Sequence, residues 1–271
     1  MPKRTSRQSM MNTSLNFDSQ QLAQFPSEIE NLAELESLSL YDNQLSQLPD
    51  TLSAAKKLRV INLSANQFTQ LPAVIEKLSA LSTLDMNGNQ LSDLPQTLSQ
   101  LPLDQYLYLA DNHFEILPVV VCELKKLKYL NFASNQIKTL PEKMGQLTEL
   151  IELRLYHNQL ITLPETIGQL KALRELHLDH NQLQALPDSI GQLSALKILN
   201  LRNNKLSTLP ATIGRLQQLL YLDLRQNDLR ELPAELQNLS CLEKLDLRLN
   251  PHLQLPVWLN KLEQQGCIIW R

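Results

Sequence analysis

Ten asparagines recur along the 271-residue chain at every twenty-third position, without a break. They are Asn43, Asn66, Asn89, Asn112, Asn135, Asn158, Asn181, Asn204, Asn227 and Asn250. A strict period of this length indicates one supersecondary unit that is repeated and stacked, because a single unit cannot bury its own apolar face. The repeat therefore predicts a solenoid and leaves no room for an independently folded catalytic domain.

Apolar residues return in the same frame around each asparagine. The unit reads LxxLxLxxNxLxxLPxxIGxLxx, and residues 150–172 carry it in full. The period of two within LxLxx places Leu153 and Leu155 on one side and Arg154 and Tyr156 on the other, which is typical of a short half-buried strand. Each unit therefore supplies one strand of a parallel sheet, and neighbouring units bury the remaining apolar residues between them.

The polar and special residues of the frame have structural roles. Buried asparagines need partners for their amide groups, so we predict a ladder of hydrogen bonds to the backbone. A proline at a fixed distance after each asparagine predicts a short helix or an extended return on the opposite side of the unit. Gly145, Gly168, Gly191 and Gly214 share one slot of this return, where we expect neighbouring units to approach closely.

Three places depart from the frame, and at one of them Ala55 replaces a convex leucine. Asp104 stands in the first leucine slot of its repeat, which predicts a local distortion of the stack. His252 occupies a leucine slot, and we expect Leu253 to turn inward in its place. Near the C-terminus, Ile268 and Trp270 fit the two central leucine slots of a truncated last strand. We therefore predict that these two side chains, with that of Trp258, cover the end of the core.

In this frame the chain resembles leucine-rich repeat proteins of the short 23-residue class with an LPxxI segment. The resemblance implies an α/β solenoid shaped as a curved horseshoe, with a parallel sheet on the concave face and short helices or extended turns on the convex face. It also implies a concave face that binds other proteins, as in intracellular scaffold and signalling proteins and many bacterial proteins. We divide the chain into a flexible tail, 1–11, and a single repeat domain, 12–271. The domain comprises an atypical first repeat at 12–34, ten repeats at 35–264 and a capping strand at 265–271.

Composition narrows the possible partners and compartments. The net charge of −3 provides no basic field for phosphate backbones, so we expect no nucleic-acid partner. No run approaches 18 apolar residues, and the polar start lacks the apolar core of a secretory signal. Three widely spaced cysteines form no paired framework, which favours the reducing cytoplasm. Secretion without a standard signal peptide is the alternative.

All six tyrosines fall on positions that the frame directs to the concave face. Four of them lie in three consecutive repeats, close to an arginine and two histidines. Tyrosine combines rigid contact area with a polar tip and is enriched at protein interfaces. We therefore predict a partner-binding centre there, although aromatic residues also simply suit strand positions. Its residues are Tyr106, Tyr108, Tyr129, Arg154, Tyr156, His157 and His177.

A second group on the same face is charged. Arg202, Arg225 and Arg248 share one column, and Asp223 and Asp246 share the neighbouring column. Two interpretations stay open at this point. The charges pair with one another and keep the face soluble, or the arginines bind an acidic segment of the partner.

Catalytic and metal chemistry have little support in the sequence. The phosphate-loop, dinucleotide, zinc-protease and nucleophile-elbow motifs are all missing. His157 and His180 stand one repeat apart and are close enough to share an ion, but a dedicated site needs orienting neighbours that a sequence does not show. We therefore predict no metal, no cofactor and a non-enzymatic interaction module or scaffold. A secreted bacterial effector acting on host proteins is the alternative, and an enzyme or metal protein is the least favoured.

Overall fold

Parallel strands form the framework of the molecule. The computed structural model describes residues 13–27, 29 and 31–271, so the predicted tail at 1–11 lies outside the described residues. Within them, twelve strands form one open sheet in chain order. The strands are β1 Ser14–Asn16, β2 Ser37–Ser39, β3 Val60–Asn62, β4 Thr83–Asp85, β5 Tyr106–Tyr108, β6 Tyr129–Asn131, β7 Glu152–Arg154, β8 Glu175–His177, β9 Ile198–Asn200, β10 Tyr221–Asp223, β11 Lys244–Asp246 and β12 Ile268–Trp270.

The register of the sheet reproduces the period of the sequence. Leu130 pairs with Leu153, and Leu153 pairs with Leu176, each one full repeat further along the chain. These central leucines are completely or almost completely buried. Equivalent residues therefore stack in columns, with leucine columns in the core and the two flanking columns of each strand on the exposed, concave face. The predicted parallel sheet of a leucine-rich repeat solenoid is confirmed.

The convex returns are short 3-10 helices, which resolves the choice between helices and extended turns. Each of the nine five-residue helices begins directly after a proline of the frame. Pro164, for example, has an extended backbone (φ −69°, ψ 150°), and the helix ends where the amide of Leu170 donates to the carbonyl of Ile167. The helices are Leu32–Glu34, Asp50–Ala54, Ala73–Lys77, Gln96–Gln100, Val119–Glu123, Glu142–Gln146, Glu165–Gln169, Asp188–Gln192, Ala211–Arg215 and Ala234–Asn238, followed by one α-helix, α1, at Leu259–Gln264.

The convex helices of adjacent units approach closely at their glycines, and all of the described helices are short. Gly168 stands where the stack is tightest, because a Cβ atom there would collide with the carbonyl oxygen of Ser189 in the next unit. Gly191 is equally confined by the carbonyl oxygen of Thr212. The predicted close approach at these glycines is confirmed. Among the described residues, none of the helices combines the length and the apolar character that crossing a membrane requires.

The asparagine ladder forms as predicted. The side-chain amide of Asn158 donates to Phe132 O in the preceding repeat at 2.9 Å and to Leu155 O in its own repeat at 3.1 Å. Its Oδ1 atom accepts the backbone amide of Ile137 at 3.0 Å. The other nine asparagines make the equivalent bonds. Each rung thus joins two adjacent repeats through backbone groups that would otherwise be buried and unpaired.

Two of the predicted departures are also confirmed. Leu101, before the Asp104 repeat, has ψ 142°, whereas the equivalent Leu124 has ψ 61°. Leu103 is buried there, and one carboxylate oxygen of Asp104 is buried without a hydrogen-bond partner. At the other position, His252 is exposed and Leu253 packs against the core.

The prediction for the last strand is wrong by one residue. Leu245 pairs with Ile269 rather than with Ile268, so Ile268 and Trp270 lie on the concave face instead of covering the core. The cause is the last return, where α1 replaces a 3-10 helix and Gly266 adds a turn with φ 96°. A slip of one residue moves every side chain of a strand to the opposite face. Trp258 packs against the core as predicted.

Candidate functional site on the concave face

Three tyrosines form a connected aromatic group on β5 and β6, which we call the tyrosine cluster: Tyr106, Tyr108 and Tyr129. The rings of Tyr106 and Tyr129 stack, with centroids 4.4 Å apart and planes inclined by 18°. The ring of Tyr108 meets that of Tyr106 edge-on at 5.3 Å. All three are half-buried. The stack arises because Tyr106 and Tyr129 occupy the first position of adjacent strands.

The hydroxyl groups give the cluster a polar edge. An ordinary phenol is already protonated at neutral pH, and desolvation raises the pKa of Tyr108 further, to about 12, which the positive charge of Arg154 opposes only in part. The phenol of Tyr108 is therefore a hydrogen-bond donor at neutral pH. The cluster presents stacked ring surface together with hydroxyl groups that can bond to a partner.

Charged side chains continue the face on β7 and β8. The Nε atom of Arg154 donates to a carboxylate oxygen of Glu152. Burial lowers the pKa of Arg154, but the hydrogen bond to Glu152, the charge of that residue and the nearby Tyr108 and Tyr156 raise it, and the net shift is upward. His177 Nε2 lies 3.2 Å from Glu175 Oε2 and 3.8 Å from Glu152 Oε1. The sequence-predicted Arg154 and His177 therefore belong to a small network that also contains two glutamates.

The two remaining residues of the predicted centre lie at the edge of this region. Tyr156 follows β7, and its ring meets that of His157 edge-on at 5.7 Å. His157 in turn stacks on His180 of the next repeat. The structure thus brings the seven predicted residues together across β5 to β8 and adds Glu152 and Glu175 to them.

The arginine ladder, defined as Arg202, Arg225 and Arg248, lies separately beside β9 to β11. Arg225 Nε donates to Asp223 Oδ1 at 3.0 Å and lies 3.2 Å from Asp246 Oδ2. Arg248 binds Asp246 through two hydrogen bonds, of 3.0 and 2.7 Å. Both aspartates are only 1% exposed. Arg225 and Arg248 therefore pair with the aspartates of the same face, which is the first of the two interpretations.

Two features of this ladder were missed by the sequence reasoning. Arg202 has no salt bridge among the described residues, so its charge is open to a partner. The ring of Trp270 lies beside Arg248, with the guanidinium carbon 5.5 Å from its centroid. The sequence does contain a signal for the position of Trp270. The interval from Pro256 to Ile269 is one residue longer than that from Pro233 to Leu245.

Comparison with known proteins agrees with this architecture. A family model described as leucine-rich repeat region matches residues 105–182 and 165–247. Models described as leucine-rich repeat match residues 56–114 and 34–55. A search of curated proteins returned no match.

Solved structures extend the likeness to nearly the whole chain. A leucine-rich repeat protein of Leptospira interrogans is 37% identical, with a TM-score of 0.82 over 94% of this chain and 71% of its own. The leucine-rich repeat domain of the type III effector XopL is 29% identical, with a TM-score of 0.67 over 75% of this chain and 73% of its own. The plant peptide hormone receptor RGFR1, solved in complex with RGF2, is 29% identical, with a TM-score of 0.71 over 95% of this chain and 47% of its own. The chain therefore belongs to the leucine-rich repeat family.

Proposed function

We propose that this protein is a non-enzymatic interaction module that binds a partner protein on its concave face, with the tyrosine cluster at the centre of the contact. The observation that carries the proposal is the stacked, half-exposed arrangement of Tyr106, Tyr108 and Tyr129. Rings held by one another lose little further freedom on binding, and tyrosine is among the residues that dominate interface energies.

The surrounding charges support a defined polar rim. Arg154 and His177 extend the cluster with hydrogen-bonding groups beside β7 and β8. In the arginine ladder, Arg225 and Arg248 are neutralised by buried aspartates, so we expect Arg202 to make the strongest contact with an acidic group of the partner. The partner that fits this face best has an apolar centre and an acidic flank.

Affinity capture from a lysate of the source organism tests the proposal. The test variant carries Tyr106→Ala, Tyr108→Ala and Tyr129→Ala, and the matched control carries Tyr41→Ala and Tyr221→Ala, which are tyrosines of the same face outside the cluster. We expect a protein that wild type and control capture and the triple variant loses. Each hot-spot tyrosine is worth about 2 kcal/mol or more, or roughly 30-fold in Kd. Equal capture by all three folded proteins would contradict a contact centred on the cluster.

A second candidate is a bacterial effector that acts on host proteins. It is favoured by the likeness to the leucine-rich repeat domain of a type III effector. Fusion of the chain to a translocation reporter in the source organism separates the two candidates. Appearance of the reporter inside host cells supports the effector, and retention in the bacterial cytoplasm supports an intracellular module.

A further inference from the structure

Two histidines at the edge of the concave face are positioned as a pair. His157 and His180 occupy equivalent positions of adjacent repeats, and their rings stack with centroids 4.2 Å apart and planes inclined by 15°. One ring nitrogen of each lies within 4.8 Å of the other and of a carboxylate oxygen of Asp179. Tyr156 holds the His157 ring edge-on at 5.7 Å. Two imidazoles and a carboxylate, the kinds of side chain that bind transition metals, therefore lie beside one another at the accessible edge of the face.

Neighbouring asparagines orient two of these groups. Asn203 Nδ2 lies 2.6 Å from His180 Nδ1 and donates to it in this orientation, which leaves the ring proton on Nε2. Nε2 has a lone pair for a metal when the Asn203 amide is turned over, so that its Oδ1 accepts a hydrogen bond from Nδ1–H. Asn200 Nδ2 donates to Asp179 Oδ1 at 2.8 Å and leaves Oδ2 open. Outer hydrogen bonds of this kind orient the ligands of metal sites in proteins.

Charged groups of opposite sign lie beside the pair. Asp179 supplies one negative charge, and Arg202 is close enough to oppose a cation. The positive φ of His157 and His180 is shared by Ser134 in the same column, so this backbone shape belongs to the repeat.

In place of the absence of metal that the sequence predicts, we propose that His157, Asp179 and His180 form a binding site for a zinc-class divalent transition metal. Two imidazoles and a carboxylate suit Zn²⁺, with metal–ligand distances of about 2.0–2.2 Å. The two rings must rotate out of their stack to bind it, because the nitrogen lone pairs of parallel rings do not point at one ion. Three protein ligands leave the fourth position for water or for a donor atom of a partner. The site does not depend on the proposed function, because it is complete without a partner.

A second group of potential ligands lies nearby and serves as a control. Glu152, Glu175 and His177 also converge within 4.8 Å. However, Arg154 already binds Glu152 and places a fixed positive charge beside it. A metal ion at this position would have to displace that arginine. We therefore expect the histidine pair to bind the metal and the glutamate group not to bind it.

Titration of the 271-residue chain with Zn²⁺ by isothermal calorimetry tests the proposal. The key variant is His180→Ser, which places at 180 the residue type found at 134 with the same backbone conformation. The matched controls are His177→Ser and His113→Ser. We expect one equivalent of Zn²⁺ to bind wild type and both controls, and at least roughly a tenfold loss of affinity in His180→Ser. Absence of binding to wild type, unchanged binding to His180→Ser, or an equal loss in His177→Ser would overturn the assignment.

Two further variants distinguish a built site from loose surface binding. Asn200→Ala removes the hydrogen bond that holds Asp179 without removing a ligand, and we expect affinity to fall about 10- to 100-fold. Arg202→Gln removes the opposing charge, and we expect affinity to rise several-fold. Zn²⁺ should also raise the Tm of wild type but not that of His180→Ser, since binding to the folded state stabilises it. An unchanged Zn²⁺ affinity in both Asn200→Ala and Arg202→Gln would contradict the proposed site.

Discussion

The tyrosine cluster and the arginine ladder lie on the same concave face of the same sheet, yet their side chains are arranged in opposite ways. Tyr106 and Tyr129 stack on each other but keep ring surface and hydroxyls available. Arg225, by contrast, is bound to Asp223 and Asp246, whose carboxylates are almost completely buried. One sheet can therefore carry a surface that is open to a partner in one region and a surface that satisfies itself in another.

The difference follows from the size and charge of the side chains. An aspartate in the third position of a strand is short enough to sink beneath the long arginines that follow it, and opposite charges then close the surface. A tyrosine ring is too large to be covered by a neighbour on the next strand, roughly 4.8 Å away. Rings on adjacent strands can only lie against one another, with one edge facing outward.

The largest effect is expected from the asparagine ladder that supports both regions. Asn158→Ala removes the partners of Phe132 O and of the Ile137 amide in the buried stack. Each unpaired buried group costs about 1–3 kcal/mol, so we expect a loss of roughly 3 kcal/mol in the free energy of unfolding. Asn250→Ala, at a more exposed rung near the arginine ladder, should cost about half as much, because water can reach the groups that are left. Urea unfolding followed by circular dichroism measures both, and equal losses would contradict this account.

The paired charges of the arginine ladder should be important for stability and unimportant for the contact at the tyrosine cluster. Asp223→Asn keeps the shape of the side chain, and asparagine already stands in the same column at Asn200. Loss of the charge weakens the bonds to Arg225 and Tyr221. We expect the free energy of unfolding to fall by about 1.5 kcal/mol. Partner capture should remain at the wild-type level, and loss of capture without loss of stability would reverse the roles that we give to the two regions.

Within the tyrosine cluster, the coupling between rings is expected to be smaller. A double-mutant cycle with Tyr106→Leu and Tyr129→Leu isolates the interaction of the stacked pair. Aromatic pairs contribute about 0.5–1.5 kcal/mol beyond their burial, so we expect a coupling of about 1 kcal/mol. Thermal unfolding of the four proteins measures it. A coupling of zero would show that the rings are merely adjacent and that the cluster is less preorganised than proposed.

The smallest effect concerns pH at the histidine pair. Burial and His157 lower the pKa of His180, so the folded protein binds fewer protons at this ring than the unfolded chain does. Stability is therefore lost as the pH falls through the ordinary histidine value, about 6.5. We expect metal-free wild type to lose slightly more Tm between about pH 7.5 and 5.5 than His180→Ser. Parallel pH curves for the two proteins, with His113→Ser as the control, would contradict the direction of this shift.

The repeating parts of the molecule follow from the amino-acid sequence alone. A constant repeat length places the same local chemistry in every unit, so the strands, the asparagine ladder, the prolines before the convex helices and the confined glycines all follow from one frame. The concave placement of the tyrosines follows from the same alternation. These features depend on short-range spacing, and stacking simply multiplies them.

The contacts of side chains between the repeats depend on the packed structure. The outward position of Trp270 depends on the length of the last return, and the pairing of Arg225 depends on how deeply Asp223 sinks into the surface. The hold of Asn203 on His180, from one repeat to the next, likewise depends on side-chain torsions. A repeat frame specifies which residues share a column. How far a side chain extends, which rotamer it adopts and how deeply it is buried are decided only when neighbouring units pack. The reason is that the residues above and below in the column limit all three.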